Sequence, residues 1–174
     1  SLVEIRRVGH RYRRPGGPEV QALAEVDLDL DAGSFTCLVG PSGCGKSTLL
    51  RIVAGLALPS EGEVRVAGSV VTAPGADRGV VFQQPNLFPW LSVRDNVAYG
   101  LRLRGVPRRE RRAEADRYID LVGLGDAGDH RPWELSGGMQ QRGQLARVLA
   151  NDPEIVLMDE PFGALDAITR ERLQ

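Results

Sequence analysis

A chain of 174 residues with 42% hydrophobic and 26% charged residues can bury one core of its own, which excludes a disordered polymer and leaves little room for a second large domain. Its uncharged apolar runs, such as Ile155 to Met158, fall far short of the ~20 residues that a helix needs to cross a bilayer, so any membrane role is expected to run through a partner. The formal net charge of −1 gives no general attraction to nucleic acid.

Leu2 to Val8 reads as a strand, and the arginines that follow at 11, 13 and 14 read as a solvated face before a loop tip at Pro15 to Pro18. Val26, Leu28 and Leu30 alternate with Asp27, Asp29 and Asp31, the period-2 pattern of a strand with one wet face. With Val64 to Ala67, these segments predict a small antiparallel sheet near the N-terminus. Phe35 to Val39, Val80 to Phe82 and Ile155 to Met158 are short continuous apolar runs, expected as parallel strands covered on both faces. Helices are predicted over Ser47 to Leu56, from a Ser92 cap through Tyr99 towards Arg104, from Pro107 through Tyr118 to Val122, and from near Ser136 to about Ala150. Arg108 to Arg112 reads as another solvated face, and Gly123, Gly125 and Gly128 interrupt the helical pattern.

The chemistry concentrates in three places. Gly40-Pro41-Ser42-Gly43-Cys44-Gly45-Lys46-Ser47-Thr48 satisfies G-x-x-x-x-G-K-[ST] between an apolar strand and a helix, the context in which backbone N–H groups curl around a β-phosphate. Lys46 is the single lysine among 22 basic residues, at a position where a compact ammonium fits and a planar guanidinium does not. It is expected to bridge β- and γ-phosphates, with the Ser47 hydroxyl on Mg²⁺. Cys44 fits the loop by size, and Cys37 and Cys44 lack metal-ligand spacing, which points to a reducing compartment. The run Ile155 to Met158 ends in Asp159 and Glu160, placing one carboxylate to ligate Mg²⁺ and the next to orient or deprotonate a water. Ser136-Gly137-Gly138 opens a helix with a good N-cap and two glycines, a second surface suited to an anion.

Leu135-Ser136-Gly137-Gly138-Met139-Gln140-Gln141-Arg142 resembles the signature motif of ABC transporter ATPases. The resemblance implies a P-loop NTPase (RecA-like) α/β core, with an N-terminal antiparallel β subdomain and an inserted helical subdomain. Residues 1–85 and 151–174 would form the core with its β subdomain, and 86–150 the helical subdomain. It implies that Gln83 is the Q-loop glutamine reaching Mg²⁺ and the water. Gly163 to Asp166 would be the D-loop, with Asp166 as its acid, and Tyr12 the aromatic that stacks on adenine. Two cassettes, expected to be identical, would sandwich two ATP molecules, each signature facing the other's phosphate loop.

Further expected partners are transmembrane permease subunits and, indirectly, an extracytoplasmic solute-binding protein, with the chain on the inner face of the cell membrane. Ala76 to Gln83, Phe88-Pro89-Trp90 and Asp159 to Asp166 are most similar to cassettes of nitrate, sulfonate and taurine importers. Leu87, Phe88 and Trp90 would either pack the helical lobe or touch the permease. Gly143 departs from the aliphatic residue common in relatives and is expected to cost the helix about 1 kcal/mol. The family's switch histidine has no counterpart after His130, so a fragment or a truncated cassette is expected. A DNA-repair ATPase is disfavoured, because the stretch from Lys46 to Ser136 is short and lacks sustained heptads. The alternatives are a non-catalytic nucleotide-binding module and an ABC importer ATPase for another small solute.

Overall fold

The computed structural model describes residues 1–13 and 16–160. They divide into two compact units, one ending at Gly75 and one starting at Ala76.

In the first unit, strands β1 (Val3–Tyr12), β2 (Val20–Leu30), β3 (Glu61–Val66) and β4 (Ser69–Val70) form an antiparallel sheet in the order β2-β1-β3-β4. Val3 lies opposite Leu30 and Val66, and Ile5 opposite Leu28 and Val64, so alternation in the sequence becomes a shared apolar face. Val3, Ile5, Val64 and Val66 on that face are buried, each worth about 1.5–3 kcal/mol of transfer free energy. On the other face Arg6 bonds Asp29 at 2.7 Å, and that bond holds the Asp29 carboxyl below its ordinary range. Helix α1 (Lys46–Val53) buries Leu49, Ile52 and Val53.

The run Phe35 to Val39 departs from expectation. It is irregular, with Phe35 95% and Val39 90% exposed, and no described strand pairs with it. An apolar run takes up a strand's backbone only where a neighbour completes its hydrogen bonds, and among the described residues none does.

The second unit joins a parallel pair, β5 (Arg78–Val81) and β6 (Ile155–Met158), to helices α2 (Val93–Val97), α3 (Tyr99–Leu103), α4 (Arg108–Leu121) and α5 (Gly137–Leu149). Ile155, Val156 and Leu157 are half-buried instead of covered on both faces, since the ladder is two strands wide among the described residues. The Ser92 side chain caps α2 by accepting from the Asp95 N–H at 3.1 Å. The helix expected to continue to Arg104 is broken at Ala98, whose ψ of −6° separates α2 from α3. Pro107 precedes α4, where its fixed φ and missing N–H cost nothing. Val93, Val97, Ala115, Ile119, Leu124, Leu135 and Ala146 build the core between these helices. Arg94 bonds the exposed carboxylates of Asp116 and Asp129, and the Asp116 hydrogen bond foremost raises the guanidinium above its ordinary value.

Candidate functional site

In the first unit the site is the loop Gly40 to Gly45 leading into α1. Gly45 occupies the N-cap position with φ 99°, a conformation L side chains avoid, and a Cβ there would press on Ala22 O at 2.5 Å. Only glycine lets β2 approach the loop so closely. Lys46 turns its ammonium back into the loop, donating to Gly40 O and Pro41 O, each at 2.9 Å, with Cys44 Sγ at 3.8 Å. Of the N–H groups of Ser42, Gly43, Cys44 and Gly45, only that of Cys44 finds a backbone acceptor among the described residues, at a long 3.4 Å. The loop therefore holds a cation among carbonyls and leaves donors for an incoming anion. Ser42 and Gly43 are exposed, and the space beyond Gly43 is open.

Tyr12, at the end of β1, is tied to the same helix: its hydroxyl lies 3.2 Å from Thr48 Oγ1 in the first turn of α1. His10 meets its ring edge to face at 4.6 Å. With 41% of its surface exposed, Tyr12 presents an aromatic face fixed at two points.

In the second unit, Asp159 and Glu160 follow β6 directly, and the Asp159 N–H extends the ladder by donating to Val81 O at 3.0 Å. Parallel pairing thus brings the residues after β5 and after β6 to one end of the ladder. Gln83 and Glu160 meet there, with Gln83 Nε2 donating to Glu160 Oε2 at 2.8 Å. Glu160 sits at φ 47°, a left-handed conformation that costs a non-glycine residue about 1 kcal/mol or more and marks a special position. Ser136 caps α5, its hydroxyl accepting from Met139 N–H at 3.3 Å, and a Cβ on Gly137 would meet nothing within 4 Å. Asp166 and the rest of the D-loop segment lie outside the described residues.

Four side chains organise the segment between Gln83 and Ser92, and of these only Gln141 falls in a motif read from the sequence. Gln144, fully buried in α5, donates from Nε2 to Phe82 O at 2.8 Å and accepts from Asn86 N–H at 3.0 Å. Gln141 donates to the same Phe82 O at 3.1 Å, and Arg147 donates to Asn86 O at 3.0 Å. Burial lowers the Arg147 pKa from its ordinary value. Asn96 of α2, fully buried, accepts from Phe88 N–H at 2.7 Å and donates to the carbonyls of Phe88, Leu91 and Ser92. The available signal was the three-residue spacing of Gln141, Gln144 and Arg147, which alone also describes a wet helix face. Leu87 is buried, Phe88 packs on Tyr99 with centroids 4.8 Å apart, and Trp90 is 67% exposed. One loop therefore both packs the lobe and presents an aromatic surface.

The family described as ABC transporter matches residues 23–163. The taurine import ATP-binding protein TauB of Roseobacter denitrificans is 52% identical over 172 residues, covering 99% of this chain and 64% of that protein. The bicarbonate transport ATP-binding protein CmpC of Synechococcus elongatus is 51% identical over 175 residues, covering 99% of this chain and 26% of its own length. The chain thus spans less than two thirds of either relative. Among solved structures, the ATP-binding cassette MJ0796, in a dimeric post-hydrolysis state bound to ADP and Pi, aligns with a TM-score of 0.88 at 37% identity, covering 99% of this chain and 79% of that one.

Proposed function

This chain belongs to the ABC transporter family, and we propose that it is the ATP-binding and ATP-hydrolysing part of an importer. The observation that carries the reading is the Gly40 to Thr48 loop, whose open donors and single inward-turned ammonium suit a polyphosphate. Lys46 exchanges its two carbonyl contacts for β- and γ-phosphate oxygens. Tyr12 offers its ring to adenine. Gln83 and Glu160 act on water, Gln83 by orienting it and Glu160 by accepting its proton as it attacks the γ-phosphate.

Ser47, Gln83 and Asp159 would supply hard oxygens to Mg²⁺, whose sites complete their coordination with water and phosphate rather than a protein cage. Bound there, the ion would offset negative charge on the phosphates. Residues 1–85 with 151–174 serve as the nucleotide-binding core, and 86–150 as the helical subdomain.

Ser136, Gly137 and Gly138 are proposed to reach the γ-phosphate held by a second, identical cassette, and Asp166 to act at that interface. The dimeric state of the MJ0796 cassette supports this reading. Permease subunits would receive the motion, with the cassette peripheral on the cytoplasmic face and a solute-binding protein outside. For the solute we propose a small anion such as nitrate, a sulfonate or taurine, supported by relatives named for taurine and bicarbonate.

The test is phosphate release from ATP by the full-length protein with and without Mg²⁺. Mg²⁺-dependent release that disappears in Lys46→Ala is expected, and tight nucleotide binding without release would favour the non-catalytic reading. Reconstitution with the adjacent permease, comparing taurine, nitrate and bicarbonate for stimulation of turnover, tests the solute.

A further inference from the structure

The hydrogen bonds of α5 point to a role for a residue outside the recognised motifs. We propose that Gln144 is a positioning residue for the Gln83–Glu160 pair, acting through the backbone on either side of Gln83. The inference rests on the ATPase reading above and specifies how its water-handling groups are aimed.

A side chain with no solvent exposure in the middle of a helix is ordinarily apolar, as Ala146 and Val148 are on the same helix. A buried amide is tolerated only when both its ends are satisfied, and those of Gln144 are. Its amide group spans the loop, donating to the carbonyl of Phe82 and accepting from the N–H of Asn86. The spanned residues are Gln83, Gln84 and Pro85, and Pro85 restricts both its own φ and the conformation of Gln84.

Helical spacing repeats the grip. Gln141, one turn earlier, donates to the same Phe82 carbonyl, and Arg147, one turn later, donates to the Asn86 carbonyl. Gly143 lets the loop lie close on the helix: a Cβ there would stand 3.2 Å from Leu87 Cδ1. Fixing the Phe82 carbonyl fixes the peptide plane that leads into Gln83, and so the direction in which its side chain leaves the backbone. That side chain ends 2.8 Å from Glu160. A shift of the peptide by even about 1 Å would break this contact, and misplacement of that size at a reacting centre costs rate out of proportion to stability.

The experiment uses the full-length protein. Gln144→Met keeps the size of the side chain and removes both hydrogen bonds. We expect kcat to fall about tenfold, equal to about 1.4 kcal/mol of transition-state stabilisation, with KM for ATP changed less than about twofold. The discriminating arm repeats the substitution in a Gln83→Ala background by single-turnover measurement. If Gln144 acts through Gln83, the loss disappears there; a purely structural role carries the same loss into both backgrounds and overturns the inference. An unchanged kcat in Gln144→Met overturns it as well.

Should Gln144→Met not fold, Gln141→Met removes the second donor to Phe82, and the Gln141 Oε1 it sacrifices has no partner among the described residues. A smaller loss of kcat that again vanishes with Gln83→Ala supports the proposal, and no loss overturns it. Unmodified protein without turnover would refute the ATPase reading and this inference together, whereas turnover without coupling to Gln83 refutes the inference alone.

Discussion

The loop from Gly40 to Gly45 and the loop from Phe82 to Ser92 are both irregular segments following apolar runs, yet they are held in opposite ways. The first is exposed and rests on one lysine that folds into it, with most of its own N–H groups unanswered by the backbone. The second is fastened by Gln141, Gln144 and Arg147 from one helix and by Asn96 from another. On the proposed reading, the first loop keeps its donors for a polyphosphate, while the second has its backbone tied by the protein's own hydrogen bonds so that Gln83 is aimed.

The largest effect should come from the end of the aimed loop's contact. Glu160→Gln keeps the hydrogen bond to Gln83 in outline but removes the base, so turnover should fall on the order of 10²–10³-fold while ATP affinity measured by calorimetry stays within about threefold. Near-normal turnover would mean that Glu160 contributes charge or geometry only.

Next is the waiting loop. Lys46→Arg places a planar guanidinium where an ammonium sits 2.9 Å from two carbonyls, and nucleotide affinity should drop about tenfold or more. Because both of these contacts are exposed, where a hydrogen bond contributes only about 1 kcal/mol, thermal stability without nucleotide should hardly change. A large loss of stability instead would show that the loop is pre-tied like its counterpart.

The held loop predicts the reverse. Asn96→Leu deletes its four hydrogen bonds with Phe88, Leu91 and Ser92 and leaves the part-buried Phe88 N–H unpaired, which should cost about 2–3 kcal/mol in denaturant unfolding with little change in nucleotide affinity. Equal stability would break the contrast.

The smallest effect sharpens it. Helix propensity alone would make Gly143→Ala stabilising by about 1 kcal/mol. Because the new Cβ must push Leu87 Cδ1 from 3.2 Å, the measured change should be smaller than that, with either sign. A full gain would mean that Leu87 moves aside freely and the loop is looser than its hydrogen bonds imply.

Much of this architecture was legible in the sequence. The alternation over Val26 to Leu30 gave the wet-faced strand, Ser92 and Ser136 gave caps that the structure places on Asp95 and Met139, and the glycine loop ran into its helix as its pattern required. These features are local: a turn, a cap or a period depends on the few residues beside it. Phe35 to Val39 is irregular where its apolar run predicts a strand, because a strand depends on its neighbours and the apolar run alone does not name one.

The sequence by itself named the groups proposed to bind phosphate and to move a proton, since a lone lysine after glycines and a carboxylate pair after an apolar run carry their chemistry with them. Only the tertiary structure decided how they are aimed. Gln141, Gln144, Arg147 and Asn96 look in the sequence like ordinary polar positions of exposed helices. They became fasteners because helix packing brought them against backbone groups that a polar side chain out of water must meet, and for Gln141, Gln144 and Arg147 those groups lie 59 to 62 residues away along the chain.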